Sequence, residues 1–160
     1  MDDIRIVEFD EKYAPDFARL NYEWIDRYFR VEPHDRATLD DPITSIIEPG
    51  GEIFFAVNAD GRVAGTVALI PDGQDRVELA KMAVSSDFQR NGIGDRLMRA
   101  CLEYARQKGK SSIFLLSNTK LIPAINLYRK YGFVETDPPE RATYERVNIW
   151  MELALGRPNM

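Results

Sequence analysis

The stretch Gln89-Arg90-Asn91-Gly92-Ile93-Gly94 decides how this chain is read. It lies between an apolar strand-like run, Leu79 to Val84, and an amphipathic helical pattern that begins near Ile93. Glycines at the mouth of a helix remove side chains, so that unpaired backbone N–H groups can close on an anion at the positive end of the helix dipole. The strand, the polar loop Ser85 to Asn91 and the helix together predict a pyrophosphate cradle. Two other phosphate loops do not fit. A Walker loop needs Gly-Lys-Ser/Thr, whereas Gly94 is followed by Asp95-Arg96-Leu97. A dinucleotide fingerprint needs a third glycine, and the chain has Leu97 there.

Working outward, the elements alternate. Ile4 to Phe9 reads as a short strand, and from Asp16 the apolar residues Phe17, Leu20, Trp24 and Tyr28 recur at helical spacing, a stripe expected to face the core with Phe29. The polar stretch Val31 to Pro49 predicts a short second helix between loops. Glu52 to Asn58 and Arg62 to Ile70 form a predicted hairpin around Asn58-Ala59-Asp60-Gly61. A turn at Pro71-Asp72-Gly73 leads into a strand from Arg76 to Val84. The helix that starts at Ile93 should end at Gly109. Ile113 to Leu116 then reads as a buried strand, Pro123 to Tyr131 as a helix, and Phe133 to Glu135 and Tyr144 to Leu153 as closing strands. With no repeat and no long linker, residues 1–160 read as one mixed α/β domain.

Three stretches in this order resemble the GNAT superfamily of acyl-CoA-dependent N-acyltransferases. Gln89, Gly92 and Gly94 occupy the positions of that family's Arg/Gln-x-x-Gly-x-Gly/Ala loop. Ala124-Ile125-Asn126-Leu127-Tyr128-Arg129-Lys130-Tyr131-Gly132-Phe133 resembles its second signature, and Val77 to Val84 its central strand. The likeness is clear from Glu78 to Thr136. It implies an α/β (α+β) fold: a mixed, mostly antiparallel sheet of six or seven strands with helices on both faces. The strands Arg76 to Val84 and Ile113 to Leu116 should run parallel and splay to admit a cofactor.

Transfer of an acyl group from a thioester to an amine sets three chemical tasks. An alkylamine with pKa near ~10.4 must lose a proton before it attacks, the carbonyl oxygen needs a donor, and a thiolate of pKa near ~8.5 leaves more readily if protonated. The resemblance assigns Glu78 as candidate general base and Tyr128 as candidate general acid. It assigns the Met82 N–H to the carbonyl oxygen, and the backbone of Met82, Ala83 and Val84 to the pantetheine arm. Gln89, Arg90, Asn91, Gly92, Ile93, Gly94 and Asp95 would hold the pyrophosphate, with Arg90 adding positive charge. The family often has an asparagine seven residues before the tyrosine. Here that position is Leu121, and Asn118 and Asn126 are the alternatives.

The activity so implied is N-acetyltransfer from acetyl-CoA to a primary amine by direct attack in a ternary complex. A non-catalytic module that binds or senses acyl-CoA is the alternative. One cysteine, Cys101, and one histidine, His34, leave no disulfide framework and no ordinary zinc site. Cys101 should be core and His34 solvated. No metal is implied. The absence of a long apolar run or a basic leader predicts a cytoplasmic protein with no membrane partner.

The net charge of −5 argues against nucleic acid as a partner. That charge is unevenly spread, with 15 acidic and six basic side chains through Asp60 and 11 acidic and 15 basic after it. An acidic first half, where this family builds much of its acceptor site, favours a small cationic amine. The family resemblance also allows a homodimer.

Overall fold

The computed structural model describes residues 3–88, 92–137 and 145–156. Its strands are β1 (Arg5–Val7), β2 (Glu52–Val57), β3 (Val63–Asp72), β4 (Arg76–Val84), β5 (Ser112–Ser117), β6 (Val134–Thr136) and β7 (Ile149–Ala154). Its α-helices are α1 (Ala14–Tyr28), α2 (Pro33–Leu39), α3 (Ile93–Gln107) and α4 (Ile122–Lys130), with a π-helical turn at Ile43–Ile47. The strands form one sheet in the order β1-β2-β3-β4-β5-β7-β6, and every neighbouring pair is antiparallel except β4 and β5. This is the mixed, mostly antiparallel seven-stranded arrangement that the resemblance implies.

Alternation along the strands divides the core in two. Val77, Leu79, Ile113, Leu115 and Met151 share one face with Ile93, Leu97, Met98, Cys101, Ile125 and Tyr128 of α3 and α4. On the other face, Ile53, Phe55, Val57 and Ala83 pack with Phe17, Leu20 and Ile25 of α1 and Leu39 of α2. Helices thus cover both faces. Cys101 is fully buried, and burial pushes its thiol up out of the reactive range. His34 is exposed.

Four local expectations need correction. The α1 stripe that enters the core is Phe17, Leu20, Asn21 and Ile25, while Tyr28 is 49% exposed. Asn21 is tolerated there because its Nδ2 donates to the Phe17 carbonyl at 2.9 Å and its Oδ1 accepts from Trp24 Nε1 at 3.1 Å. Pro71 and Asp72 are not turn residues but pair with Val77 and Arg76. β2 ends at Glu52 opposite Leu69, so Pro71 lies on a locally open edge where its missing N–H is not needed. The strand expected from Tyr144 starts only at Ile149, although Tyr144 itself lies outside the described residues. Arg146 and Asn148 are drawn instead into side-chain links with α2 and the β5–α4 turn. Finally, β6 runs Val134–Thr136, one residue later than expected, because the Phe133 N–H is still taken by the Tyr128 carbonyl of α4 at 3.1 Å.

Candidate active site

Two irregularities in β4 create an opening. β4 and β5 pair only at Arg76↔Ser112, Val77↔Ile113 and Glu78↔Phe114, although β4 continues to Val84 and β5 to Ser117. Beyond Glu78 the two parallel strands part. On the other side of β4, Thr66 pairs with Ala83 and Ala68 with Ala80, so Val67 faces both Lys81 and Met82. That is a β-bulge, and Lys81 sits in it at φ 56°, the one non-glycine with positive φ among the described residues.

Glu78 stands at the last paired rung, between Ile70 of β3 and Phe114 of β5. Its strand neighbours Val77 and Leu79 face α3 and α4, so alternation turns Glu78 to the α1/α2 face. Among the described residues no group hydrogen-bonds its carboxylate. Burial against its apolar neighbours raises its pKa to about 7; Lys81 pulls down, Asp72 pushes up and Arg76 pulls down. Tyr128 lies on the opposite face, buried beside Phe133 with ring centroids 6.0 Å apart. Burial lifts its phenol to about 12, and among the described residues its hydroxyl has no hydrogen-bond partner. The two titratable groups thus lie on opposite faces of the sheet.

Gly92 caps α3 in the left-handed conformation, φ 69° and ψ 19°, and no described residue lies within 4 Å of where its Cβ would stand. Gly94 serves another need: a Cβ there would meet Leu127 Cδ2 at 3.3 Å, so its absence lets α3 pack closely on α4. Ile93, Gly94 and Asp95 form the first helical turn, whose N–H groups have no intrahelical acceptor. The Asp95 carboxylate turns to α4, where its Oδ1 accepts from Lys130 Nζ at 2.6 Å and the Tyr131 hydroxyl at 2.9 Å. The Lys130 hydrogen bond foremost holds this carboxyl below its ordinary range. Its negative charge is therefore neutralised beside the helix mouth. Gln89, Arg90 and Asn91 lie outside the described residues.

The remaining assignments separate. Met82, Ala83 and Val84 lie past the point where β5 leaves β4, so that edge of their backbone has no β5 partner. Asn118 holds its own loop, with Nδ2 donating to the Arg146 carbonyl at 2.6 Å and Oδ1 accepting from Lys120 N–H at 2.9 Å. Asn126 is exposed on α4. Reading along the chain missed a buried ionic cluster beside the bulge. Asp35, fully buried, binds Lys81 Nζ at 2.9 Å and Arg146 at 2.6 and 2.9 Å, and Arg146 also reaches Glu32 at 3.2 Å. The partners are 46 and 111 residues apart, so no local spacing could reveal them. Also missed was the Trp150 indole N–H, which is buried and has no hydrogen-bond partner among the described residues.

A sheet whose central parallel strands part beside a bulge, with a glycine-capped helix beyond the end of β4, is the architecture of acyl-CoA-dependent acetyltransferases. Residues 18–133 match the Acetyltransferase (GNAT) family, and the chain belongs to it. N-acetyltransferase family 8 member 2 of Rattus norvegicus is 31% identical over 106 residues, covering 63% of this chain and 46% of that protein. The chain spans about half the length of the curated relatives it matches. Among solved structures, a GNAT-family acetyltransferase from Staphylococcus aureus Mu50 shares the fold at a TM-score of 0.87, with 21% identity over 96% of this chain and all of that one. Spermidine N-acetyltransferase from Vibrio cholerae, in complex with CoA and spermine, has a TM-score of 0.72 at 18% identity, covering 95% of each chain. No helix among the described residues is long and apolar enough to cross a membrane.

Proposed function

We propose that residues 1–160 act as a single N-acetyltransferase domain, moving an acetyl group from acetyl-CoA to a primary amine within a ternary complex. The observation that carries this reading is the gap between β4 and β5, with a carboxylate poised near neutrality on one face and a buried phenol on the other. Membership of the GNAT family supports it. So do the amides of the first α3 turn and the unpaired β4 edge, which suit a pyrophosphate and an extended amide-bearing arm.

Glu78 takes the proton from the acceptor ammonium, so the amine lone pair can form the new C–N bond. The Met82 N–H, freed by the bulge, donates to the carbonyl oxygen as charge builds there. The C–S bond then breaks as the nitrogen sheds its second proton; Tyr128, protonated throughout the neutral range, donates to the departing sulfur, and the proton shed by nitrogen restores the phenol. The amides of Ile93, Gly94 and Asp95 hold the diphosphate, with Gln89, Arg90, Asn91 and Gly92 completing the loop. Asn126 is better exposed than Asn118 for a contact to the cofactor arm.

For the acceptor we favour a small cationic amine. The acidic first half supplies the field, and the fold is shared with an enzyme solved with spermine bound. The Trp150 N–H offers a donor for an acceptor oxygen. A cytoplasmic setting and a homodimer are compatible with this reading. The decisive assay follows thiol release from acetyl-CoA with a panel of polyamines, amino acids and arylalkylamines. Amine-dependent release establishes the activity. Acetyl-CoA binding without release from any amine would move the chain to the acyl-CoA-sensing alternative.

A further inference from the structure

We infer that Asp35 and Lys81 form a positioning pair, which holds the β4 bulge in the shape that presents the Met82 N–H and keeps a cation beside Glu78. The inference rests on the acetyl-transfer reading for its consequences, but its structural basis is independent. Lys81 adopts φ 56°, a conformation that strains a residue with a Cβ and persists only where its surroundings enforce it. The enforcement is visible. The Lys81 side chain is only 6% exposed, and its ammonium lies 2.9 Å from an Asp35 oxygen that is wholly buried. The same carboxylate accepts both Arg146 contacts and the Glu32 N–H at 2.8 Å. Three segments distant in sequence, α2, the bulge and the turn before β7, therefore converge on one side chain.

A buried ion pair adds little net stability over well-packed apolar residues, whereas removing one partner leaves an uncompensated charge. Its value here is geometric. If Lys81 relaxes to negative φ, the bulge shifts and the neighbouring N–H turns with it. Burial would raise the Asp35 carboxyl, but the hydrogen bonds from Arg146 and Lys81 hold it well below the ordinary range, so it stays ionised. Burial pulls the Lys81 ammonium down, and Asp35 opposes that pull. The charged groups around Glu78 are Lys81 and Arg76 on β4 and Asp72 on β3. Glu152 of β7 shares its rung through Phe114 and pairs with Arg76 at 3.7 Å. Asp35 and Arg146 act on Glu78 through Lys81. Loss of Asp35 should neutralise Lys81 and so deprive Glu78 of the cation that most lowers its carboxyl.

The test compares wild type, Asp35→Asn, and the double variant Asp35→Asn/Lys81→Met, which removes both charges of the pair and serves where the single variant fails to fold. Amide hydrogen exchange, read without any ligand, should show Lys81 to Val84 exchanging about tenfold faster in both variants, with α3 unchanged. In the folded variants kcat should fall by about tenfold while acetyl-CoA affinity holds, and the acidic limb of the rate profile should move to higher pH. A merely structural role would not move that limb. Wild-type exchange at the bulge in a folded variant overturns the inference, whatever the activity. Faster exchange in a protein whose wild type releases no thiol would keep the positioning pair and sink the acetyl-transfer reading instead.

Discussion

At the scale of single residues, Glu78 and Tyr128 make opposite demands on their surroundings. Burial raises the Glu78 carboxyl to about 7 from its ordinary 4.5. Because the folded state holds that proton more tightly, the carboxyl contributes stability that is fully present below about 4.5 and lost as the pH rises through about 7, worth at most roughly 3 kcal/mol. Glu78→Gln removes this penalty. Its melting temperature should match wild type at pH 4 and exceed it at pH 8, while kcat falls by about a hundredfold above pH 7, where wild type is ionised. Equal melting curves at both pH values would show that the carboxyl is not desolvated, and equal rates would remove it from the chemistry. Tyr128→Phe loses a hydroxyl that no described residue holds, so stability should be unchanged within about 1 kcal/mol. Its kcat should drop by about ten- to a hundredfold at constant acetyl-CoA affinity, measured by steady-state kinetics beside calorimetric titration. An unchanged kcat would leave Tyr128 as packing alone.

Helix α3 and strand β4 carry the argument at the scale of elements. The helix presents its first-turn amides because Gly92 reverses the chain just before it and Asp95 is neutralised by α4. Gly92→Glu adds a carboxylate in open space at the mouth of the helix. Calorimetric titration with acetyl-CoA should show affinity lowered by at least about tenfold, or about 1.4 kcal/mol, with the fold retained. Gly92→Ala carries the same backbone strain without the charge and should lose much less. Equal losses would mean that loop conformation, not an anion at the amides, governs binding. Strand β4 fills its role by being imperfect, with a bulge on its β3 side and a lost partner on its β5 side. A regular β4 paired along its length would satisfy its hydrogen bonds and leave no donor for a ligand.

Over the whole molecule, the cleft is where two cores meet without closing. Glu78 approaches it from the side of α1 and α2, and Tyr128 from the side of α3 and α4. The amino-acid sequence alone determined the element order and the helix mouth at Gly92 and Gly94, because glycine pairing and strand alternation are local, whereas Glu78 and Tyr128 were proposed as base and acid only through the family resemblance. The sequence also set Cys101 as core, since its place in the apolar stripe of α3 needs only helical periodicity. The α1 stripe misled at Tyr28 because apolar spacing does not reveal that hydrogen bonds will satisfy Asn21 in the core. Asn118 looked available for the same reason, since its partner Arg146 lies 28 residues further on. Only the tertiary structure decided that β4 and β5 part after Glu78, that Lys81 takes a left-handed turn in the bulge, and that Asp35 joins Lys81 to Arg146. Those features depend on register and on charges brought together across more than a hundred residues, where burial makes each pairing obligatory and no periodicity in the chain announces it.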